Sequence, residues 1–156
     1  MTPTLDAAQR AFLGAARTAT LATVSPDGQP RLVPVCFVLS AMDDAAHRPL
    51  LYTPIDEKPK VSSDPYALAR VRDILVMPDV ALLVDRWSED WSQLAWLRVY
   101  GTGQVLEPQP HEHAEHVAAV AALRLKYPQY ESHALDTRPI IRVAIERVVS
   151  WGALGD

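Results

Sequence analysis

Lys58 and Lys60 are two of only three lysines in the chain, and they flank Pro59 in the stretch LYTPIDEKPK. The proline fixes the local backbone, so both ammonium groups are held at a set spacing with little further loss of entropy. Arg70 and Arg72 follow in the next segment. Lysine point charges and forked arginine donors suit a phosphate. The same charges also read as a solvated turn, neutralised by Asp56 and Glu57. Charge alone leaves both readings open.

Aromatic residues form the second cluster. DRWSEDWSQLAW places Trp87, Trp91 and Trp96 close together, beside Asp85, Glu89 and Asp90. Trp87 and Trp91 are spaced to share one helical face. They read as a wall for a planar ring, as part of a dimer interface, or as anchors that staple a loop to the core. His111, His113 and His116 in HEHAEH have loose metal-ligand spacing. Two prolines precede them and no cysteine lies nearby, which favours a solvated helix end. Cys36 sits mid-strand among apolar neighbours, a packing position. A Gly-rich phosphate loop and a GxSxG elbow are both missing.

The chain has 156 residues, 49% of them hydrophobic and 22% charged, which suits one globular domain over residues 1–156. Its net charge of −4 argues against nucleic acid or an anionic membrane as a partner. One cysteine allows no internal disulfide, and no stretch reaches the roughly 20 apolar residues of a membrane span. The N-terminal residues lack the pattern of a secretory signal. These observations predict a cytoplasmic protein.

The elements that must position these residues follow from periodicity. LDAAQRAFLGAAR predicts a capped helix with Leu5, Ala8, Phe12 and Ala16 on one face. TATLATVS and PRLVPVCFVLS predict two strands joined by a hairpin at Asp27-Gly28. RPLLYTP predicts a third strand. A helix then starts near Pro65, with Leu68, Val71 and Leu75 on its apolar stripe. DVALLVDRW is apolar enough for a strand buried on both faces. AWLRVYGTGQVLE continues it, with Gly101 and Gly103 at a bulge or barrel corner. A helix is predicted from about His111 to Lys126, and a last strand over RPIIRVAIERVVSWG. The expected fold is mainly β with flanking helices (α+β): about six antiparallel strands closing a barrel, with two to three helices around it.

In this order the segments ATLATVSPDGQPRLVPVCFVL, LLYTPIDEKPK and DVALLVDRW resemble the pyridoxamine 5′-phosphate oxidase-like split β-barrel superfamily of flavin and deazaflavin oxidoreductases. DEKPK, the Arg-bearing segment and the DW pair are similar to its probable F420-dependent branch. The resemblance implies a homodimer with the cofactor shared across the interface. It implies that Val33, Pro34, Val35 and Cys36 line the cofactor ring and that Tyr52 and Thr53 touch the ring edge or phosphate end. Lys58 and Lys60 match the phosphate pair, and Trp87 or Trp91 reaches over from the partner subunit. Arg72, with Arg70, extends the charge toward a longer anionic tail. The implied activity is hydride transfer from deazaflavin F420 to an unsaturated small organic substrate. An FMN-dependent reductase or oxidase, or a non-catalytic carrier of a flavin or haem-type tetrapyrrole, fits the same fold. Tyr52 and Tyr100 are proton donors by residue type only.

Overall fold

The structure is a computed structural model that describes residues 4–56 and 64–155. The chain begins with helix α1 (Ala7–Ala15), which Asp6 caps. The Asp6 side chain accepts the Gln9 N–H at 2.8 Å, and the Gln9 side chain accepts the Asp6 N–H at 3.0 Å. This reciprocal box satisfies two donors that a helix start otherwise leaves open. Leu5 and Leu13 are buried, with Phe12 and Ala16 packed beside them. Ala8, expected on that face, is exposed.

Strands β1 (Ala19–Val24) and β2 (Pro30–Val35) form the predicted hairpin. Gly28 sits at φ +88°, where a side chain would be strained, and its N–H bonds the Ser25 carbonyl at 2.9 Å. The expected second strand does not run on through Phe37. It breaks at Cys36-Phe37, and a short strand β3 (Val38–Leu39) follows. The break arises because the Tyr127 hydroxyl bonds Phe37 on both its N–H (3.1 Å) and its carbonyl (2.9 Å). Among the described residues seven strands result where about six were expected.

The others are β4 (Leu50–Pro54), β5 (Asp79–Arg86), β6 (Ala95–Leu106) and β7 (Ile140–Gly152). All pairs are antiparallel, in the order β2-β1-β5-β6-β7-β4-β3. The two edges, β2 and β3, are therefore joined by Cys36 and Phe37 alone, a reach of about 10 Å. A flat sheet of this size would hold its edges roughly 30 Å apart. The sheet must curl until its edges nearly meet, and a split β-barrel is the outcome.

Between β6 and β7 the register shifts after Tyr100, so that Glu146 is left over as a bulge. A Cβ on Gly101 would lie 2.3 Å from the Ala144 carbonyl oxygen, which explains glycine at this corner. Helix α2 (Ala69–Val76) follows a 3-10 turn at Pro65–Ala67 and closes one end of the barrel with Val71 and Ile74. Leu75, expected on that stripe, is exposed. Strand β5 is not buried on both faces. Val80, Leu82 and Val84 point inward, while Leu83 is 39% exposed and Asp85 is open.

Helix α3 (His113–Lys126) packs outside β4 and β7 and builds a second apolar cluster with Leu50, Tyr52, Leu106, Leu135 and Ile140. Among the described residues no helix is long and apolar enough to cross a membrane.

Candidate functional site

Of the residues singled out from the sequence, Tyr52 and Thr53 lie near the C-terminal end of β4. Tyr52 and Thr53 are adjacent on the strand and so face opposite sides of the sheet. Thr53 points into the barrel, fully buried, and its hydroxyl oxygen has no hydrogen-bond partner among the described residues. Tyr52 points outward beneath α3. Its hydroxyl donates to Glu115 at 2.6 Å, and Arg142 Nε donates to the same carboxylate oxygen at 2.7 Å. Burial, and then the Glu115 charge, push the Tyr52 hydroxyl well above its ordinary pKa. It is a reluctant proton donor.

Two residues past the end of β4, Asp56 is buried at the lip of the barrel. It accepts the Tyr130 hydroxyl at 2.7 Å, and its carbonyl accepts from Arg138 at 3.2 Å. The Arg138 carbonyl is held in turn by buried His116, whose Nε2 lies 2.6 Å away. A carbonyl only accepts, so this ring nitrogen carries the hydrogen. His116 is thus a buried positioning group, contrary to the solvated helix end expected from HEHAEH. His113 Nδ1 lies near Gln109 Nε2 and the Pro108 carbonyl.

Arg70 reaches this cluster from α2. Burial lowers its pKa, and Asp56 followed by Tyr130 opposes that shift. Its Nε is buried without a hydrogen-bond partner among the described residues. Arg72, two residues on, is exposed and lies on the wall of a separate hollow with Pro26, Arg31 and Asp73. Lys58 and Lys60, the phosphate pair implied by the resemblance, lie outside the described residues.

On β2 the four expected ring-lining residues divide. Val33 and Val35 pack into the barrel core, whereas Pro34 faces out. Cys36 sits at the strand break against the α3 cluster, and its thiol engages the Tyr130 hydroxyl. Because β2 pairs with β1 alone among the described residues, its far side presents backbone groups that none of the described strands takes up. Trp87 and Trp91 are 69% and 74% exposed just past the end of β5. They adjoin an outward sheet face that carries Leu32, Leu83 and the cross-strand pair Trp96–Trp151. Arg147 stacks 4.1 Å over the Tyr100 ring on that face.

Sequence reasoning missed Arg138 and Tyr130, and it took His116 for part of a solvated helix end. No local signal marks the first two, because they come from the connection between α3 and β7 and meet Asp56 only through the fold.

The pattern described as pyridoxamine 5′-phosphate oxidase matches residues 5–152. The chain belongs to that family. Similar solved structures include a conserved hypothetical protein of Mycobacterium tuberculosis, 20% identical with a TM-score of 0.66, covering 91% of this chain and 81% of that one. The haem storage protein HutZ of Vibrio cholerae is 14% identical with a TM-score of 0.65, over 94% and 95% of the two chains. An F420 reductase is 20% identical with a TM-score of 0.60, over 90% and 94%. At these identities the likeness is one of fold. None of the curated proteins matches.

Proposed function

We propose that this chain is a homodimeric oxidoreductase that binds deazaflavin F420 and reduces an unsaturated small organic substrate. The observation that carries the reading is the Nε of half-buried Arg70, which has no hydrogen-bond partner among the described residues and is set beside Asp56, next in sequence to the Lys58–Lys60 segment. A buried guanidinium donor without an acceptor is costly unless a ligand supplies one. An anionic group does so, and the flanking lysines add to its charge. Thr53 offers a second unsatisfied polar atom on the same strand end. Family membership and the likeness to a solved F420 reductase support the choice of cofactor class.

In this reading Arg70, Lys58 and Lys60 hold the cofactor's phosphate, and Arg72 meets the outer, acidic tail. Pro34 and the open backbone edge of β2, from Val33 to Cys36, lie along the ring, with Tyr52 and Thr53 at its margin. The bound deazaflavin supplies two-electron hydride chemistry. The protein binds it, orients it and keeps water away. Tyr52 is not the proton source, because its hydrogen is committed to Glu115. Trp87 and Trp91 cover the ring from the partner subunit. The exposed Leu32, Leu83 and Trp151 belong to the same contact, since an apolar face of this kind is unusual on a monomer.

Purified protein titrated with F420 and with FMN, with sedimentation run in parallel, tests the proposal. A dimer that takes F420 more tightly than FMN is expected. Nanomolar FMN binding without measurable F420 binding makes it a flavin reductase instead. An intense Soret band in the isolated protein makes it a tetrapyrrole carrier, the reading that the likeness to HutZ favours.

A further inference from the structure

A cavity of about 830 Å³ opens between α3, the loop after β3 and the outer face of β4. That volume falls within the roughly 300–1,000 Å³ of small-molecule sites. Ala118, Ala119 and Ala122 form the middle of its α3 wall, with exposed Leu125 at its end, and Val38, Leu39 and Leu50 face them. Small residues along one helix face leave the space open, where leucines would have closed it.

The charges around the cavity do not balance. Three carboxylates line it, and each has a cation: Asp43 with Arg10 at 3.6 Å, Asp44 with Arg48 at 2.9 Å, and Glu115 with Arg142 at 2.7 Å. Lys126 also lines it. Its Nζ is covered by protein and has no hydrogen-bond partner among the described residues. The ammonium instead rests 4.1 Å from the Phe37 ring centre and 5.3 Å from that of Tyr127. Aromatic faces partly compensate a buried cation, but an oxygen acceptor does so better. Arg17, stacked on the other contact of this ammonium at 4.5 Å from the Tyr127 ring centre, adds repulsion.

We propose that this cavity is a binding site for an apolar monocarboxylate, with the alanine wall taking the apolar body and Lys126 the carboxylate. The flexible lysine stem lines the cavity, so rotation about its last bonds carries the ammonium from the Phe37 ring to an entering acid group. A neutral analogue leaves Lys126 unpaired, and an amine repels it. The site selects acids.

Naphthylacetate and its neutral counterpart naphthylethanol are suitable probes for the intact chain, with binding followed by ligand fluorescence and calorimetry. The acid should bind more tightly than the alcohol. Lys126→Met should weaken acid binding about tenfold or more while leaving the alcohol unchanged. Ala118→Leu, at an exposed helix position where folding is not at risk, should block both ligands by filling the cavity. Equal affinity for acid and alcohol in the unmodified protein overturns the proposal. So does Lys126→Met with undiminished acid binding, Ala118→Leu with undiminished binding of either probe, or no binding of the acid at all.

Discussion

The Tyr127 hydroxyl closes the split in the barrel by engaging Phe37 from both sides. It accepts the Phe37 N–H at 3.1 Å, and its single hydrogen is shared between the carbonyls of Phe37 (2.9 Å) and Arg17 (2.8 Å). One side chain at the end of α3 thus stands in for the ladder bonds that Phe37 gives up, and it ties the end of α1 to the same point. Tyr127→Phe removes the oxygen and leaves a buried N–H without a partner. Destabilisation by about 1–3 kcal/mol is expected, with Tm lowered by several degrees. A thermal melt matching the parent protein would show that the break is held by something else.

The same contact explains where sequence reasoning succeeded and where it stopped. A capped start for α1, the Gly28 hairpin and the end of α3 ahead of Pro128 are set by neighbours in sequence and were legible. The sequence left the cap between Thr4 and Asp6, and the structure settles it on Asp6. The break at Cys36-Phe37 depends on a tyrosine 90 positions away, so PRLVPVCFVLS read as one strand. Leu75 and Leu83 fit their apolar runs, but hydrophobicity alone does not say which face of an element another element covers. At the site, the charged segment and its arginines were visible as composition. Which arginine turns toward Asp56 was not, because residues two apart on a helix point in different directions and only the tertiary contact selects one.

Gly101 and Gly14 should respond to alanine with opposite signs. At Gly101 the new Cβ would meet the Ala144 backbone oxygen at 2.3 Å, and the paired strands would have to part. Loss of about 3 kcal/mol or more is expected, or roughly 10 °C in Tm. At Gly14, inside α1, nothing lies within 4 Å of the added atom. Alanine there should stabilise by about 0.5–1 kcal/mol through helix propensity and a less disordered unfolded chain. Equal effects at both positions would contradict the close strand approach at the bulge.

Lys126 gives a pH dependence with a definite sign. Burial, and then the nearby Arg17 charge, push its pKa down from 10.5 to about 8. Below pH 8 the folded and unfolded chains are both protonated there, and the buried charge is a full penalty. Between about 8 and 10.5 the unfolded chain binds more protons, so this group makes stability rise with pH. Lys126→Met should therefore be more stable than the parent at pH 7, and the gap should narrow by pH 10. A difference of about 1 kcal/mol is expected, discounted because the side chain is only half-buried and solvent screens it. A gap that widens toward pH 10 would mean that the ammonium is stabilising where it lies.

The last prediction separates the arginines of α2 and so tests the proposed cofactor. Both candidate cofactors carry a phosphate at the end of a ribityl-type chain, but only the deazaflavin extends beyond it into an acidic tail. Arg70 is half-buried beside Asp56 with a donor that none of the described residues takes up, while Arg72 is exposed on a different side of the helix. Arg70→Ala should then weaken F420 and FMN alike, and Arg72→Ala should weaken F420 only. The double change Lys58→Ala with Lys60→Ala should cost at least tenfold for either ligand, since each charge-assisted phosphate contact contributes about 1.5–3 kcal/mol. Fluorescence titration of all three variants, with melts to confirm folding, gives the comparison. Equal loss of both cofactors on Arg72→Ala would place that residue at the phosphate and remove the argument for a tail. Unchanged affinities in the lysine double variant would return DEKPK to the solvated turn that its flanking acids also allow.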